Sequence, residues 1–113
     1  MSDRAEAVLD ALGNPMRRQI LKLLHDRPQS VGELARKLPV SRPAVSRHLR
    51  VMEEASLVGH VSEGTRHIFR VEQLGFVEAQ RWLEGFWDDA LARFALVAEN
   101  SWNPEYEEEE PPA

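Results

Sequence analysis

The stretch SVGELARKLPVSRPAVSRHLR, residues 30 to 50, decides the fold because it predicts two short helices in close succession. Ser30 is typical of a helix N-cap, and Glu33 follows at the position from which its carboxylate reaches back to the cap. Pro39 ends this helix near Leu38, since the residue before a proline disfavours helical backbone angles. The stretch therefore begins with a short helix that has a defined start and a defined end.

A second helix follows almost at once, and its apolar residues lie on one side. Ser41 is its predicted N-cap, and Pro43 falls in the first turn, where its missing amide needs no partner. Val45, Leu49 and Met52 recur at helical spacing, so we expect them to pack inward. Two helices joined by about three or four residues are typical of a helix-turn-helix motif.

The other side of the second helix carries cationic and small polar residues. Such a face suits the DNA major groove, because arginine can donate two hydrogen bonds to guanine while serine contacts a base or a phosphate. We expect the following residues of this helix to contact DNA: Arg42, Pro43, Ser46, Arg47, His48 and Arg50. Taken in isolation, the same residues are equally typical of an ordinary solvated surface, so the prediction depends on the neighbouring elements.

Two helices are predicted ahead of the motif. Apolar residues at helical spacing indicate a helix over residues 3–12, which Gly13 ends. Asn14 as N-cap and Pro15 at the first helical position begin the next one. We expect cations of this helix and of the first helix of the motif to bind DNA phosphates: Arg18, Lys22 and Lys37.

A β-hairpin is predicted after the motif. In residues 57–71, LVGHVSEGTRHIFRV, β-prone residues lie on either side of a turn at Glu63 and Gly64. Arg66, next to this turn, would reach the flanking DNA backbone or minor groove. The predicted fold is therefore mainly α with a two-stranded β-hairpin wing, which is a winged helix-turn-helix.

A long terminal helix is predicted from Glu72 to about Asn100. Its apolar residues cover an arc of about 180°, whereas one core needs a stripe of about 100°. Part of the arc, together with the N-terminal helix, is therefore expected to contact a second subunit. The expected dimer-interface residues are Val8, Leu12, Trp82, Phe86, Trp87, Leu91 and Phe94. Two alternatives stay open: all these residues pack inside one monomer, or the aromatic ones line a pocket for a small-molecule inducer.

Charge is divided unevenly along the chain. Residues 1–70 contain 12 basic and 8 acidic residues, whereas residues 71–113 contain 2 and 11. Because DNA responds to a local basic patch, the overall net charge of −5 does not argue against DNA as a partner. The predicted organisation is one DNA-binding domain over residues 1–101, including the terminal helices, followed by an acidic tail over residues 102–113 that we expect to be disordered.

Several classes of protein lack support in the sequence. There is no cysteine, and the four histidines show no H-x-x-x-H pairing, so neither a metal nor another cofactor is predicted. No apolar run approaches the roughly 18 residues of a membrane span, and no signal-peptide pattern is present, so we expect a cytoplasmic protein without a membrane partner. Glycine-rich phosphate loops and nucleophile elbows are also missing, so an enzyme is not expected.

Several motifs together resemble one family. The segments LGNPMRRQILKLL, SVGELARKLPVSRPAVSRHLRVMEEASLV and SEGTRHIFRV are similar to the ArsR/SmtB family of winged-helix repressors, and the resemblance runs from about Val8 to Leu91. Within it, the pattern S-x-x-x-V-S-x-H-L at residues 41–49 is the most specific. The resemblance implies a homodimeric transcriptional repressor that binds a palindromic operator, with the helix after Ser41 as its recognition helix.

The metal-sensing ligands of that family do not carry over. They are cysteines near the third helix or a His/Asp/Glu set on the terminal helices, and this chain has no cysteine and no histidine after His67. The chain therefore resembles the branch without metal ligands. The leading hypothesis is a DNA-binding repressor, and repression of its own promoter is an option that stays open. The alternative is a protein-interaction module in which the aromatic terminal helix binds a partner protein and the basic face is incidental.

Overall fold

The computed structural model describes residues 3–100 and contains five helices and three strands in that range. In chain order these are α1 Asp3–Leu12, α2 Pro15–Asp26, β1 Gln29–Ser30, α3 Val31–Lys37, α4 Arg42–Glu54, β2 Val58–Glu63, β3 Arg66–Val71 and α5 Gln73–Asn100. The predicted helices and the predicted hairpin are confirmed. The acidic tail expected over residues 102–113 lies outside the described residues.

Side-chain caps start three helices at the predicted positions. Asn14 Oδ1 accepts hydrogen bonds from two backbone amides in the first turn of α2, at 2.9 and 3.1 Å. At α3, Ser30 Oγ accepts from the Glu33 amide at 3.2 Å while Glu33 Oε1 accepts from the Ser30 amide at 3.3 Å, which is the predicted capping box. At α4, Ser41 Oγ accepts from the Ala44 amide at 3.3 Å. These caps satisfy amides that the helix itself leaves without partners.

The sheet has one more strand than the sequence predicts. β2 and β3 form the expected antiparallel hairpin, and β1 adds to the other edge of β3 to give the order β1-β3-β2. The added strand is two residues long, with Gln29 opposite Phe69 and Ser30 opposite Ile68. The buried Gln29 amide group donates from Nε2 to the Leu23 carbonyl at 2.7 Å, which satisfies its polarity inside the fold. β1 thus ties the hairpin to the start of α3.

Apolar side chains from α1 to α4, the sheet and the start of α5 form one core. Val45, Leu49 and Met52 of α4 are at most 1% exposed, which confirms their predicted inward orientation. Val8 is 0% exposed in the single chain, so its expected place in a dimer interface is wrong: its side chain packs within this core and has no surface left for a second subunit. Leu12 is half-buried against the same core.

The chain divides into two units, the first ending at Trp82 and the second beginning at Leu83, so that α5 contributes to both. In the first unit, Gly75 and Ala79 of α5 are buried. In the second unit, the described residues are helical through Asn100 and mostly exposed. Within residues 3–100, no helix combines the length and the apolar character that crossing a membrane requires.

Candidate nucleic-acid interface

The outer face of α4 is solvent-exposed along its whole length. Opposite the buried apolar residues, five of the predicted DNA contacts are exposed: Arg42, Pro43, Ser46, Arg47 and Arg50. A helix that is anchored by one apolar side and presents arginines on the other can enter a major groove as a rigid body. The structure therefore brings these five residues together on one accessible surface.

His48 differs from the other predicted contacts of α4 because it is half-buried. Its Nδ1 lies 3.5 Å from Arg17 Nη1, and Arg17 in turn donates from Nε to the Ala11 carbonyl at 2.8 Å. Burial lowers the pKa of His48, and the nearby charges of Arg17 and Arg47 lower it further. A neutral His48 thus contacts the start of α2, and Arg17 is a link between α1, α2 and α4 that the sequence pattern did not single out.

The predicted phosphate-binding cations of α2 and α3 are exposed on neighbouring surfaces. Arg18 donates from Nη1 to the Leu12 carbonyl at 2.7 Å, which holds its guanidinium near the end of α1. Lys22 and Lys37 lie at the rim of one shallow recess of about 240 Å³ between α2 and α3, and Lys37 also donates to the Gln29 side chain. The two lysines are therefore brought together, although 15 positions separate them in the sequence.

Arg66 of the wing does not extend away from the protein. Its Nη2 donates to Glu33 Oε1 at 2.7 Å and to Ser30 Oγ at 3.2 Å, so the wing turn is attached to the capping box of α3. The second carboxylate oxygen of Glu33 accepts from Arg27 at 3.1 Å. Hydrogen bonding from the Ser30 amide and from Arg27 lowers the pKa of Glu33 to about 2, so this carboxylate is charged at neutral pH.

The described part of the chain holds no set of three metal-ligating side chains. On the wing, His60 Nδ1 contacts Glu53 of α4, and the His60 ring packs edge-on against His67 with centroids 5.0 Å apart. His67 Nδ1 also lies 3.3 Å from Ser62 Oγ. These histidines therefore make contacts within the hairpin and with the end of α4.

Large apolar residues of α5 are exposed over several turns. The predicted interface residues Phe86, Trp87 and Leu91 are 54–58% exposed, and Phe94 is 72% exposed. Trp82 is half-buried. A contiguous apolar surface of this kind usually marks a binding face, because it is costly to leave in water. On another side of α5, Glu78 pairs with Arg4 at 3.9 Å.

These features define a class of protein. The fold has two short helices in succession, a cationic outer face on the second of them and a β-hairpin that follows it in the chain, which together form a winged helix-turn-helix DNA-binding domain. Residues 12–61 match a family model described as a helix-turn-helix domain. The chain is 42% identical over 90 residues to the HTH-type transcriptional regulator Rv2034 of Mycobacterium tuberculosis, covering 80% of this chain and 84% of that protein.

Two further proteins define the family. Over 71 residues the chain is 42% identical to an HTH-type transcriptional regulator of Methanocaldococcus jannaschii, covering 59% of this chain and 75% of that protein. Among solved structures, an ArsR-like transcriptional regulator from Rhodococcus sp. RHA1 is similar, with a TM-score of 0.79, 30% identity and coverage of 87% of this chain and 92% of that one. The chain belongs to the ArsR family of winged helix-turn-helix transcriptional regulators.

Proposed function

We propose that this regulator is a cytoplasmic repressor that binds a palindromic operator as a homodimer and needs neither a metal nor another cofactor. The observation that carries the proposal is the exposed cationic face of α4 over a fully buried apolar side. A helix presented in this way fits the major groove, and a two-fold dimer would place two such helices about 34 Å apart on successive turns of DNA. A dimer seated on its operator would then block access to the promoter.

The proposed contacts fall into two groups. Base edges and the adjoining sugar-phosphate edge would be contacted by Arg42, Pro43, Ser46 and Arg47, with His48 supporting the helix. Phosphates would be contacted by the flanking cations Arg18, Lys22, Lys37 and Arg50 and, from the wing, by Arg66. Phosphate contacts set the register of the protein on DNA, whereas base contacts set its sequence preference. Selection of bound duplexes from a random pool, followed by sequencing, tests the proposal, since a palindrome is expected.

Arg47→Ala is expected to weaken binding to the selected duplex by about 1–3 kcal/mol and to reduce discrimination at one position in each half-site. The physical reason is the loss of two hydrogen bonds to a guanine edge. Titration against the selected duplex and its single-base variants measures both effects. Arg50→Ala is the matched comparison, because a phosphate contact on the same helix should weaken all sequences alike. Unchanged binding by Arg47→Ala would exclude a base contact at this residue.

Lys22→Ala is expected to weaken binding to all duplexes by a similar factor and to lower the slope of log affinity against log salt by about one unit. A lysine that neutralises one phosphate releases about one counterion, and its removal abolishes that release. Fluorescence anisotropy at several salt concentrations gives the slope. Arg81, which is exposed on α5 outside the proposed interface, supplies the control Arg81→Ala. Equal slopes for Lys22→Ala and the parent would remove Lys22 from the interface.

A second function is favoured by the exposed apolar residues of α5, namely the docking of a different protein on that face. The two functions predict different results in a gel shift with duplexes from the protein's own promoter region. A repressor would bind one duplex with strong salt dependence. A protein-interaction module would bind none of them.

A further inference from the structure

A small recess lies where α3, the start of α4 and the wing turn meet. Its volume is about 170 Å³, and more of its lining is polar than apolar. The lining residues are Ser30, Val31, Arg42, Thr65, Arg66 and His67. Three separate elements thus contribute two guanidinium groups, two hydroxyl groups and an imidazole to one concave surface.

Arg66 is held at the edge of this recess with part of its hydrogen-bonding capacity unused. Its two hydrogen bonds, to Glu33 at 2.7 Å and to Ser30 at 3.2 Å, both use Nη2. A guanidinium has five N–H donors in a planar fork, so Nη1 and Nε can bind a further acceptor without breaking these bonds. The side chain of Arg66 is 57% exposed whereas that of Glu33 is 19% exposed, so the ion pair leaves Arg66 accessible to a ligand from solvent.

The recess carries an excess of positive charge. Glu33 is compensated by two arginines, Arg27 at 3.1 Å and Arg66 at 2.7 Å. Arg42 adds a third guanidinium, whose central carbon lies 3.7 Å from the position that a Cβ on Gly32 would occupy, so it packs over the first turn of α3. Arg42 and Arg66 line the recess, and Glu33, which pairs with Arg66, is also paired with Arg27, so the recess keeps positive charge for an anion. A group with several oxygens and one negative charge, such as a phosphodiester, fits these donors.

We propose that this recess binds a single phosphate of the DNA backbone, shared by Arg42 of the recognition helix and Arg66 of the wing, and that Glu33 is the positioning residue for Arg66. The proposal rests on the DNA-binding function proposed above. Glu33 holds the Arg66 guanidinium in place before DNA arrives, so less side-chain freedom is lost on binding. One phosphate thereby fixes the wing relative to the recognition helix.

The first test is a set of alanine variants measured on the selected duplex over a range of salt. Arg42→Ala and Arg66→Ala are each expected to lower affinity about tenfold and to lower the salt slope by about one unit. Together they should cost less than the product of the two effects, because both groups contact the same phosphate. Arg70→Ala, an exposed arginine on the same strand as Arg66, is the control and should change affinity less than about twofold.

Glu33→Gln tests the positioning role without removing the helix cap, because glutamine also serves in a capping box. It is expected to lower affinity about threefold in the parent and to have no effect in the Arg66→Ala background. Thermal unfolding of each variant verifies that the fold is intact. If Glu33→Gln bound DNA more tightly than the parent, Glu33 would be a competitor of DNA for Arg66 and the positioning role would be overturned.

Neutral methylphosphonate groups, introduced one position at a time into the duplex, identify the phosphate itself. One position in each half-site is expected to weaken the parent and to have no further effect on Arg42→Ala or Arg66→Ala. The shared phosphate site would be overturned if methylphosphonate at every position lowered the affinity of the variants as much as that of the parent. It would also be overturned if the salt slopes of both variants equalled that of the parent. In either case the proposed DNA-binding function would stand. A parent that bound no selected duplex would overturn both proposals.

Discussion

Gly75→Ala is expected to lower the free energy of unfolding by about 3 kcal/mol, at the upper end of what overpacking costs in a protein core. A Cβ atom on Gly75 would lie 2.4 Å from the Ala55 carbonyl oxygen and 2.8 Å from that of Ser56. These neighbours are backbone atoms, so no side-chain rotation can relieve the clash. Ser56 already occupies the left-handed region with φ of 59°, and its carbonyl accepts from the Gly75 amide at 2.8 Å. The turn after α4 therefore has little freedom to move.

Urea unfolding followed by circular dichroism measures this effect. Gly85→Ala is a matched control on the same helix, because a Cβ there meets nothing within 4 Å. Alanine is the better helix former, so Gly85→Ala should raise stability by up to about 1 kcal/mol. Opposite signs for the two variants are expected. A Gly75→Ala protein that unfolded at the same urea concentration as the parent would show that the start of α5 can move away from the α4 turn.

Local signals in the sequence were sufficient to predict the helices. Asn14, Ser30 and Ser41 cap their helices through amides two or three positions away, so the pattern depends only on neighbouring residues. The buried side of α4 follows in the same way, because residues three or four apart share a helix face. The exposed cationic face of α4 was predictable for this reason.

Features that depend on distant residues were missed or placed wrongly. β1 is two residues long and has no alternating pattern, and it is a strand only because β3 lies beside it. The ion pair between Glu33 and Arg66 joins residues 33 positions apart, so no helical or strand period indicates it. Val8 lies on the apolar face of α1 as expected, but periodicity identifies a face and not what covers it. The core covers Val8, and a second subunit is not needed to do so.

The sequence predicts that part of the apolar arc of α5 contacts a second subunit, but it does not say which part. The exposures of the side chains divide the helix into a buried start and exposed later turns. Residues near the start of the helix, such as Ala79, are buried in the first unit. Farther along, Trp87, Leu91 and Phe94 are more than half exposed. The surface available to a second subunit in the proposed dimer is therefore on the later turns of α5. Since an isologous interface contains each residue twice, a single substitution there acts twice.

Leu91→Glu is accordingly expected to convert the proposed dimer into a monomer. A carboxylate placed in an apolar contact costs about 2 kcal/mol for each copy, hence about 4 kcal/mol in the dimer, which is roughly a thousandfold in dissociation constant. Sedimentation equilibrium at micromolar concentration measures the change. Operator affinity should fall by a comparable factor, because each monomer would hold only one half-site.

Leu96→Glu is the matched control for this substitution. Leu96 is 59% exposed, against 58% for Leu91, and the chemical change is the same. The two residues are five positions apart, which places them about 140° apart around the helix. If α5 pairs through the predicted arc, Leu96→Glu should remain dimeric while Leu91→Glu does not. If both variants were monomeric, the dimer interface would extend around the whole helix. If both variants were dimeric, the later turns of α5 would lie outside the dimer interface, and their apolar surface would be available to another partner protein.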